Sequence, residues 1–339
     1  MNRKSTIIIA EAGVNHNGKI SLAKKLVDVA SKSGADFIKF QSFITSHLVT
    51  SNLKKANYQK KSIKDNKSQF KMLQKLELSS SNLIDLSNYC SKKKIGFIVS
   101  AFDIDSLKFV LKLKTKFIKI PSGEITDFPY LKIIGKQNRK IILSTGMSSL
   151  SEIKDALKVL YQSGQSRKKI TLLHCNSEYP TNYKDVNLLA MQTIRKKFNV
   201  DVGYSDHTNG FEVAIGAVSL GAKIIEKHIT LNKKLIGPDH IASLGPQEFF
   251  NFVKSIKNIE KALGTTIKKP SRSELKNIPY VRKVIVASRN ISKGKIIKEY
   301  DLLLKRAGKG IPASKIYKVI GSKANKNYKK DQVINLKTL

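Results

Sequence analysis

Cysteine is scarce: two among 339 residues, Cys90 and Cys175, neither in a Cys-x-x-Cys spacing. That excludes a disulfide framework and a cysteine-rich metal knuckle, and it suits a reducing compartment such as the cytoplasm. Long apolar runs are missing too. The first one, Ile7 to Ala10, is cut by Glu11 after four residues, too short for a signal-peptide core, and nothing approaches the roughly 20 residues of a membrane span, so no membrane partner is expected. Acidic residues are few, 25 against 63 basic ones. A formal charge of +38 raises the question of nucleic acid. However, only 8 of the basic residues are arginine, and the lysines are spread along the whole chain. A phosphate- and base-reading surface concentrates charge and favours the planar guanidinium, so a solvated lysine surface without a specific nucleic-acid partner is the expectation.

What the chain does have is 41% apolar residues, enough for a large core or two domains. Eight short aliphatic runs recur at Ile7–Ala10, Phe37–Phe40, Gly96–Ser100, Phe117–Ile120, Ile141–Ser144, Ile170–His174, Val200–Tyr204 and Lys223–Lys227. Segments of helical period lie between most of them, such as Leu150, Ile153, Leu157 and Leu160. Buried strands alternating with amphipathic helices predict a parallel sheet covered by helices. Eight such units point to a closed (β/α)8 TIM barrel over residues 1–265, with a doubly wound open sheet as the alternative. Residues 42–78, polar and rich in Lys and Ser, are expected as a long loop over the barrel mouth. A linker is expected over residues 266–280, where periodicity fades around Pro270 and Pro279. A small, mainly β domain is expected over residues 281–339, with runs at Val284–Ala287, Leu302–Leu304 and Gln332–Ile334.

In such a barrel, chemistry collects where the strands end. Polar groups converge there, and burying them at the ends of apolar strands is costly without a charged ligand. Lys39 and Lys119 are cations inside strand patterns, and Ser122, Ser144 and Ser205 are hydroxyls near glycines. Together they suit a phosphate or a carboxylate, unless the lysines merely snorkel outward. His207 and His228, one strand apart, offer two imidazoles to a divalent cation; neutral hydrogen-bonding histidines are the alternative. Glu11 and Glu124 suit general acid–base work or sugar hydroxyls. Gly237-Pro238-Asp239-His240 is expected as a turn aiming Asp239 and His240 at the same mouth, or as plain turn chemistry.

Eight strings in order cover nearly the whole chain: Ala10-Glu11-Ala12-Gly13-Val14-Asn15-His16-Asn17-Gly18, Lys39-Phe40-Gln41, Lys119-Ile120-Pro121-Ser122-Gly123-Glu124, Leu143-Ser144-Thr145-Gly146-Met147, His174-Cys175-Asn176-Ser177-Glu178-Tyr179-Pro180, Tyr204-Ser205-Asp206-His207, Glu226-Lys227-His228 and Gly237-Pro238-Asp239-His240. They resemble the sialic acid synthase family, and the bacterial N-acetylneuraminate branch in particular. Lys305-Arg306-Ala307-Gly308-Lys309-Gly310 resembles the SAF, or antifreeze-like, domain that closes these enzymes. The resemblance implies condensation of phosphoenolpyruvate with N-acetylmannosamine and water to give N-acetylneuraminate and phosphate. A legionaminate synthase acting on 2,4-diacetamido-2,4,6-trideoxymannose is the alternative, and a Schiff-base aldolase using Lys39 or Lys119 is a more distant rival.

By that resemblance, Lys39, Lys119, Ser122, Ser144, Ser177 and Ser205 hold phosphoenolpyruvate. His207 and His228 bind Mn2+ or Mg2+. Gln41, Tyr179 and Asp239 line the sugar side with Glu11, and Glu124 exchanges the proton at the aldehyde oxygen. Arg306 matches an arginine that reaches the sugar site of the partner subunit, which implies a domain-swapped homodimer. Four positions depart from the family pattern: Ser100 and Ala101 where Thr-Pro is usual, Ala307 for Pro, and Gly245 for Glu.

Overall fold

The structure is a computed structural model that describes residues 5–63 and 67–336. The outermost ends of both expected domains, and residues 64–66 of the insertion, lie outside the described residues. The chain divides into two compact units between Gly264 and Thr265.

The first unit is a closed parallel barrel with its strands in sequence order. They are β1 (Ile7–Gly13), β2 (Phe37–Ser42), β3 (Gly96–Ala101), β4 (Phe117–Ile120), β5 (Lys140–Ser144), β6 (Ile170–Cys175), β7 (Asp201–Asp206) and β8 (Ile224–His228). Pairing of β1 with β8, from Ile7↔Ile224 to Glu11↔His228, closes the ring. All eight aliphatic runs are therefore strands, and the open-sheet alternative falls. Helices cover the outside: α1 (Ile20–Ser33), then, within the insertion, α2 (Thr45–Leu48), α3 (Asn57–Ser62) and α4 (Gln69–Gln74), followed by α5 (Ser80–Lys92), α6 (Ile104–Lys112), α7 (Phe128–Gly135), α8 (Leu150–Gln162), α9 (Ala190–Phe198), α10 (Glu212–Ser219) and α11 (Pro246–Leu263). Their apolar stripes, for instance Ile153, Ala156, Leu157 and Leu160 of α8, pack on the outward strand faces to form the main core.

The two-residue period of a strand explains the interior. Inward side chains at one level are Ile9, Phe37, Ile98, Phe117, Ile142, Leu173 and Ile224, a dry apolar floor. Gly203 of β7 completes that level because a Cβ there would stand 2.3 Å from the Ile224 carbonyl oxygen and 2.6 Å from Leu173 Cδ2. Two residues further along each strand come Glu11, Lys39, Ser100, Lys119, Ser144, Cys175, Ser205 and Glu226, all buried. The same backbone that builds the floor thus lifts a ring of polar groups above it.

The insertion differs from the expected loop, because three short helices form in it. Ser68 caps α4, and Gln59 Oε1 accepts from the Ala56 N–H at 2.9 Å at the start of α3. The helices pack a small cluster of Val14, Phe43, Met72 and Leu76.

The second unit has its own core, including Ile285, Ile291, Ile297, Val319, Tyr328 and Ile334. Strands β9 (Val284–Ala287) and β10 (Leu302–Lys305) pair antiparallel. The third expected run contributes only an isolated bridge, Val286↔Val333. Within the stretch expected as an aperiodic linker, helix α12 (Arg272–Val281) forms behind a capping box of Ser271 and Glu274.

Candidate active site

The ring above the floor opens into a cavity of about 610 Å³. At its base are four buried charges. Lys39 Nζ lies 2.7 Å from Glu11 Oε2 and 3.7 Å from Glu226 Oε2. Lys119 Nζ lies 3.9 Å from Glu226 Oε1 and donates to Ser144 Oγ at 2.6 Å. Ser205 Oγ donates to Glu226 Oε1 at 3.0 Å, and Lys39 Nζ donates to Ser100 Oγ at 3.2 Å.

The two lysines are not equivalent. Burial works against the charge of Lys39, but Glu11 and Glu226 outweigh it and hold the ammonium above its ordinary value. Burial wins at Lys119, whose ammonium is pushed down although Glu226 opposes the shift. Two cations and two carboxylates leave no net charge of their own, so an anion landing on Lys119 and the surrounding hydroxyls gains a cation that the protein has only partly neutralised. Ser122 Oγ accepts from the Gly146 N–H at 3.0 Å. A Cβ on Gly146 would stand 2.4 Å from Ser177 Oγ and 2.9 Å from Ser122 Oγ, so only glycine lets these hydroxyls converge.

One level higher stand the two histidines, with ring centroids 5.3 Å apart. His207 Nδ1 lies 2.5 Å from the Asn176 carbonyl oxygen. A carbonyl only accepts, so this nitrogen carries the proton and Nε2 keeps its lone pair. His228 Nδ1 is buried without a hydrogen-bond partner, with Asp239 Oδ2 4.0 Å away. Burial pushes His207 down to about 4 and His228 well below its ordinary value, so both rings are neutral. An unpartnered buried nitrogen facing a second neutral imidazole fits a borderline divalent cation, with open positions left to water or substrate. Behind them, the wholly buried pair Lys227–Asp206, at 3.0 Å, ties the end of β8 to that of β7.

Tyr179 packs its ring on His207 at 4.2 Å and edge-on to His228 at 5.6 Å. Gln41 Nε2 donates to Glu11 Oε1 at 3.3 Å. Asp239 is pushed up to about 7 by burial and by Glu11. Its neighbour His240 turns away from the mouth and bonds Thr230 Oγ1 at 2.7 Å, so only half of the expected turn serves the cavity.

Glu11, Lys39, Gln41, Lys119, Ser122, Ser144, Ser177, Tyr179, Ser205, His207, His228 and Asp239 line this one cavity. Arg306, expected at the partner subunit's cavity, belongs to the second unit and is exposed just after β10. One residue expected here does not line the cavity. Glu124 sits in the short turn Ser122–Thr126 and is absent from the lining, although Pro121, Ser122 and Gly123 belong to it. Burial, with Asp127 and Asp103 adding, pushes Glu124 up to about 7. A carboxyl raised in the fold favours the folded state most below its unfolded pKa, and that advantage is lost as pH rises from about 4.5 to 7. Glu124→Gln should therefore lose less stability than the parent across that interval, by about 1–3 kcal/mol in urea unfolding. Equal pH slopes for the two proteins would contradict this placement.

Sequence reasoning placed Glu226 and Ser100 at strand ends without giving either a role, and it missed Tyr58. The strand period carried the signal for the first two, since each lies two residues beyond a floor residue. Tyr58 had no such signal; its ring packs on Tyr179 at 5.0 Å. Among the described residues, one further cluster has the composition of a cation site, His47 with Asp103 and Asp105. There Asp103 is committed to the cap of α6, accepting from Ser106 N and Oγ and from Ile44 N.

The NeuB family model matches residues 26–268, and that of the SAF domain matches residues 282–339. The chain belongs to the NeuB family. It is a phosphoenolpyruvate-dependent sugar acid synthase with a C-terminal SAF region. Two curated relatives carry the name N,N'-diacetyllegionaminic acid synthase. The protein from Campylobacter jejuni is 51% identical, covering 98% of this chain and 99% of the relative. The one from Legionella pneumophila is 45% identical, covering 94% and 90%. Among solved structures, the N-acetylneuraminic acid synthetase of Leptospira borgpetersenii serovar Hardjo-bovis is 33% identical with a TM-score of 0.70, covering 82% of this chain and 92% of that one.

Proposed function

We propose that this NeuB-family enzyme condenses phosphoenolpyruvate with 2,4-diacetamido-2,4,6-trideoxymannose and water, giving N,N'-diacetyllegionaminate and phosphate. The observation that carries this reading is the near full-length similarity to two proteins named for that product. It displaces the expected N-acetylneuraminate activity on N-acetylmannosamine, which stands as the second reading, favoured by the solved N-acetylneuraminic acid synthetase at 33% identity.

In the proposed reaction the vinyl carbon of phosphoenolpyruvate attacks the open-chain sugar aldehyde, water adds at C2, and phosphate leaves with C–O cleavage. Lys119, Lys39, Ser122, Ser144, Ser177 and Ser205 bind the phosphate and carboxylate, with Glu226 keeping the two ammonium groups apart and charged. His207 and His228 hold the cation, Mn2+ or Mg2+. When bound, it supplies Lewis-acid polarisation of the aldehyde. Gln41, Tyr179, Glu11 and Asp239 orient the sugar. Of these, Glu11 and Asp239 are the carboxyls able to exchange protons at its oxygens, whereas Glu124 stands outside the lining. Arg306 is proposed to reach the sugar of the partner subunit in a domain-swapped homodimer. A cytoplasmic setting agrees with two buried free thiols, Cys90 and Cys175. Among the described residues, no helix is long and apolar enough to cross a membrane.

Phosphate release from phosphoenolpyruvate with Mn2+, compared between the two sugars and with EDTA added, tests the reading. The expected result is a higher kcat/KM for the trideoxy sugar, loss of turnover with EDTA, and a larger KM for the sugar alone in Arg306→Ala. A preference for N-acetylmannosamine would move the enzyme to the second reading.

A further inference from the structure

The cavity is two-faced. Strand ends supply its charged side, whereas the segment that bridges β2 and β3 contributes Phe43, Leu48, Val49, Met72 and Leu73, joined by Phe102 just after β3, beside a polar margin of Asn57, Tyr58, Gln59 and Gln69. The six apolar side chains carry no strong hydrogen-bonding group, and Phe43, Leu48, Met72, Leu73 and Phe102 pack into one cluster with Val14 and Leu76. The face is also pre-organised. Gln59 is buried, its Oε1 accepts from Ala56 N at 2.9 Å and from Gln69 Nε2 at 3.1 Å, and its Nε2 donates to the Tyr58 hydroxyl at 3.3 Å. That network links α3 to α4 and fixes Tyr58 against Tyr179, so the face does not have to form when substrate arrives.

We propose that this apolar face of the insertion is the acceptor-selecting wall, recognising the methyl-bearing, deoxygenated end of the sugar. The inference rests on the legionaminate reading and adds the residues that would produce it. Where N-acetylmannosamine brought a hydroxyl against these six side chains, it would find no partner in exchange for water. A C6 methyl and a second acetamido methyl would instead bury apolar surface there. A hydrophobic pocket discriminates by about 10–200-fold for each such group.

The test uses the full chain, Mn2+ and phosphoenolpyruvate with three acceptors: N-acetylmannosamine, its 6-deoxy form, and the 2,4-diacetamido-trideoxy sugar. Leu73→Gln should lower the 6-deoxy to 6-hydroxy ratio of kcat/KM by about 10-fold or more, with the KM for phosphoenolpyruvate little changed. Val49→Thr, which keeps the side-chain shape, should shift the ratio in the same direction and carries the test if circular dichroism shows the glutamine variant unfolded. If neither folded variant moves the ratio, the wall does not select the acceptor. The legionaminate reading fails separately, when the parent enzyme prefers N-acetylmannosamine to the trideoxy sugar.

Discussion

His228→Ala is expected to cut phosphate release by about 10³-fold or more while the barrel stays folded. The size follows from what the ring is placed to do. Its Nδ1 is buried with no partner, and an unsatisfied buried nitrogen costs about 1–3 kcal/mol, so its removal relieves part of the loss of packing. Burial, His207 and the cations Lys39, Lys227 and Lys119 all disfavour its protonation, so the ring contributes no ion pair that folding would miss. What disappears is one of two imidazoles able to hold the cation, and with it several kcal/mol of charge stabilisation in the transition state. Titration calorimetry with Mn2+ provides a readout independent of turnover: heat of binding in the parent and none in the variant. Full activity of either protein in metal-stripped buffer would overturn the assignment.

Lys39→Met and Lys119→Met should separate stability from binding. Lys39 is the cation that Glu11 and Glu226 share at 2.7 and 3.7 Å. Replacing it leaves two buried carboxylates facing each other, and breaking a buried pair this way costs about 3–5 kcal/mol. Lys119 is held by the Ser144 hydroxyl, the Ile120 carbonyl at 3.3 Å and a distant carboxylate, and burial already pushes its ammonium down. Its loss should cost the fold far less, yet phosphoenolpyruvate binding should fall by about 10²-fold or more, a charged hydrogen bond being worth roughly 1.5–3 kcal/mol and the charge itself adding to that. Urea unfolding and calorimetry with phosphoenolpyruvate measure the two effects on the same samples. Equal stability losses in both variants would show that the two lysines share one network without division of role.

The barrel was legible because most strands carry a short apolar run, a pattern that both-face burial imposes and that punctuation by helices makes countable. Phe117–Ile120 was bounded to the residue. Strand phase was legible in principle too. Once Lys39 and Lys119 are taken as inward, a period of two places Ser100 and Glu226 in the same ring, yet their roles emerged only from distances. The insertion resisted for a different reason. Helices of four and six residues, α2 to α4, are too short to display a 3.6-residue period; α2 and α4 pack through Leu48, Met72 and Leu73 around Phe43 and Val14, and α3 is tied to α4 by the Gln59–Gln69 hydrogen bond. Helix α12 was announced by Ser271 and Glu274, whose capping signal was overshadowed by Pro270 before the helix and Pro279 inside it. Glu124 shows the limit of motif reading: adjacency to Ser122 fixes its backbone, whereas the turn decides where its carboxyl stands.

The alternation of floor and ring has an evolutionary corollary. Every group proposed to grip phosphoenolpyruvate at the ring level shares a strand with a residue of the dry floor, so drift at those positions is coupled to collapse of the barrel itself. The insertion carries no such tie. With the proposed acceptor wall, residues 43–73 can be rewritten for new acceptors while the donor chemistry stays in place, which makes this segment the place to graft when a synthase for a different nine-carbon sugar is wanted.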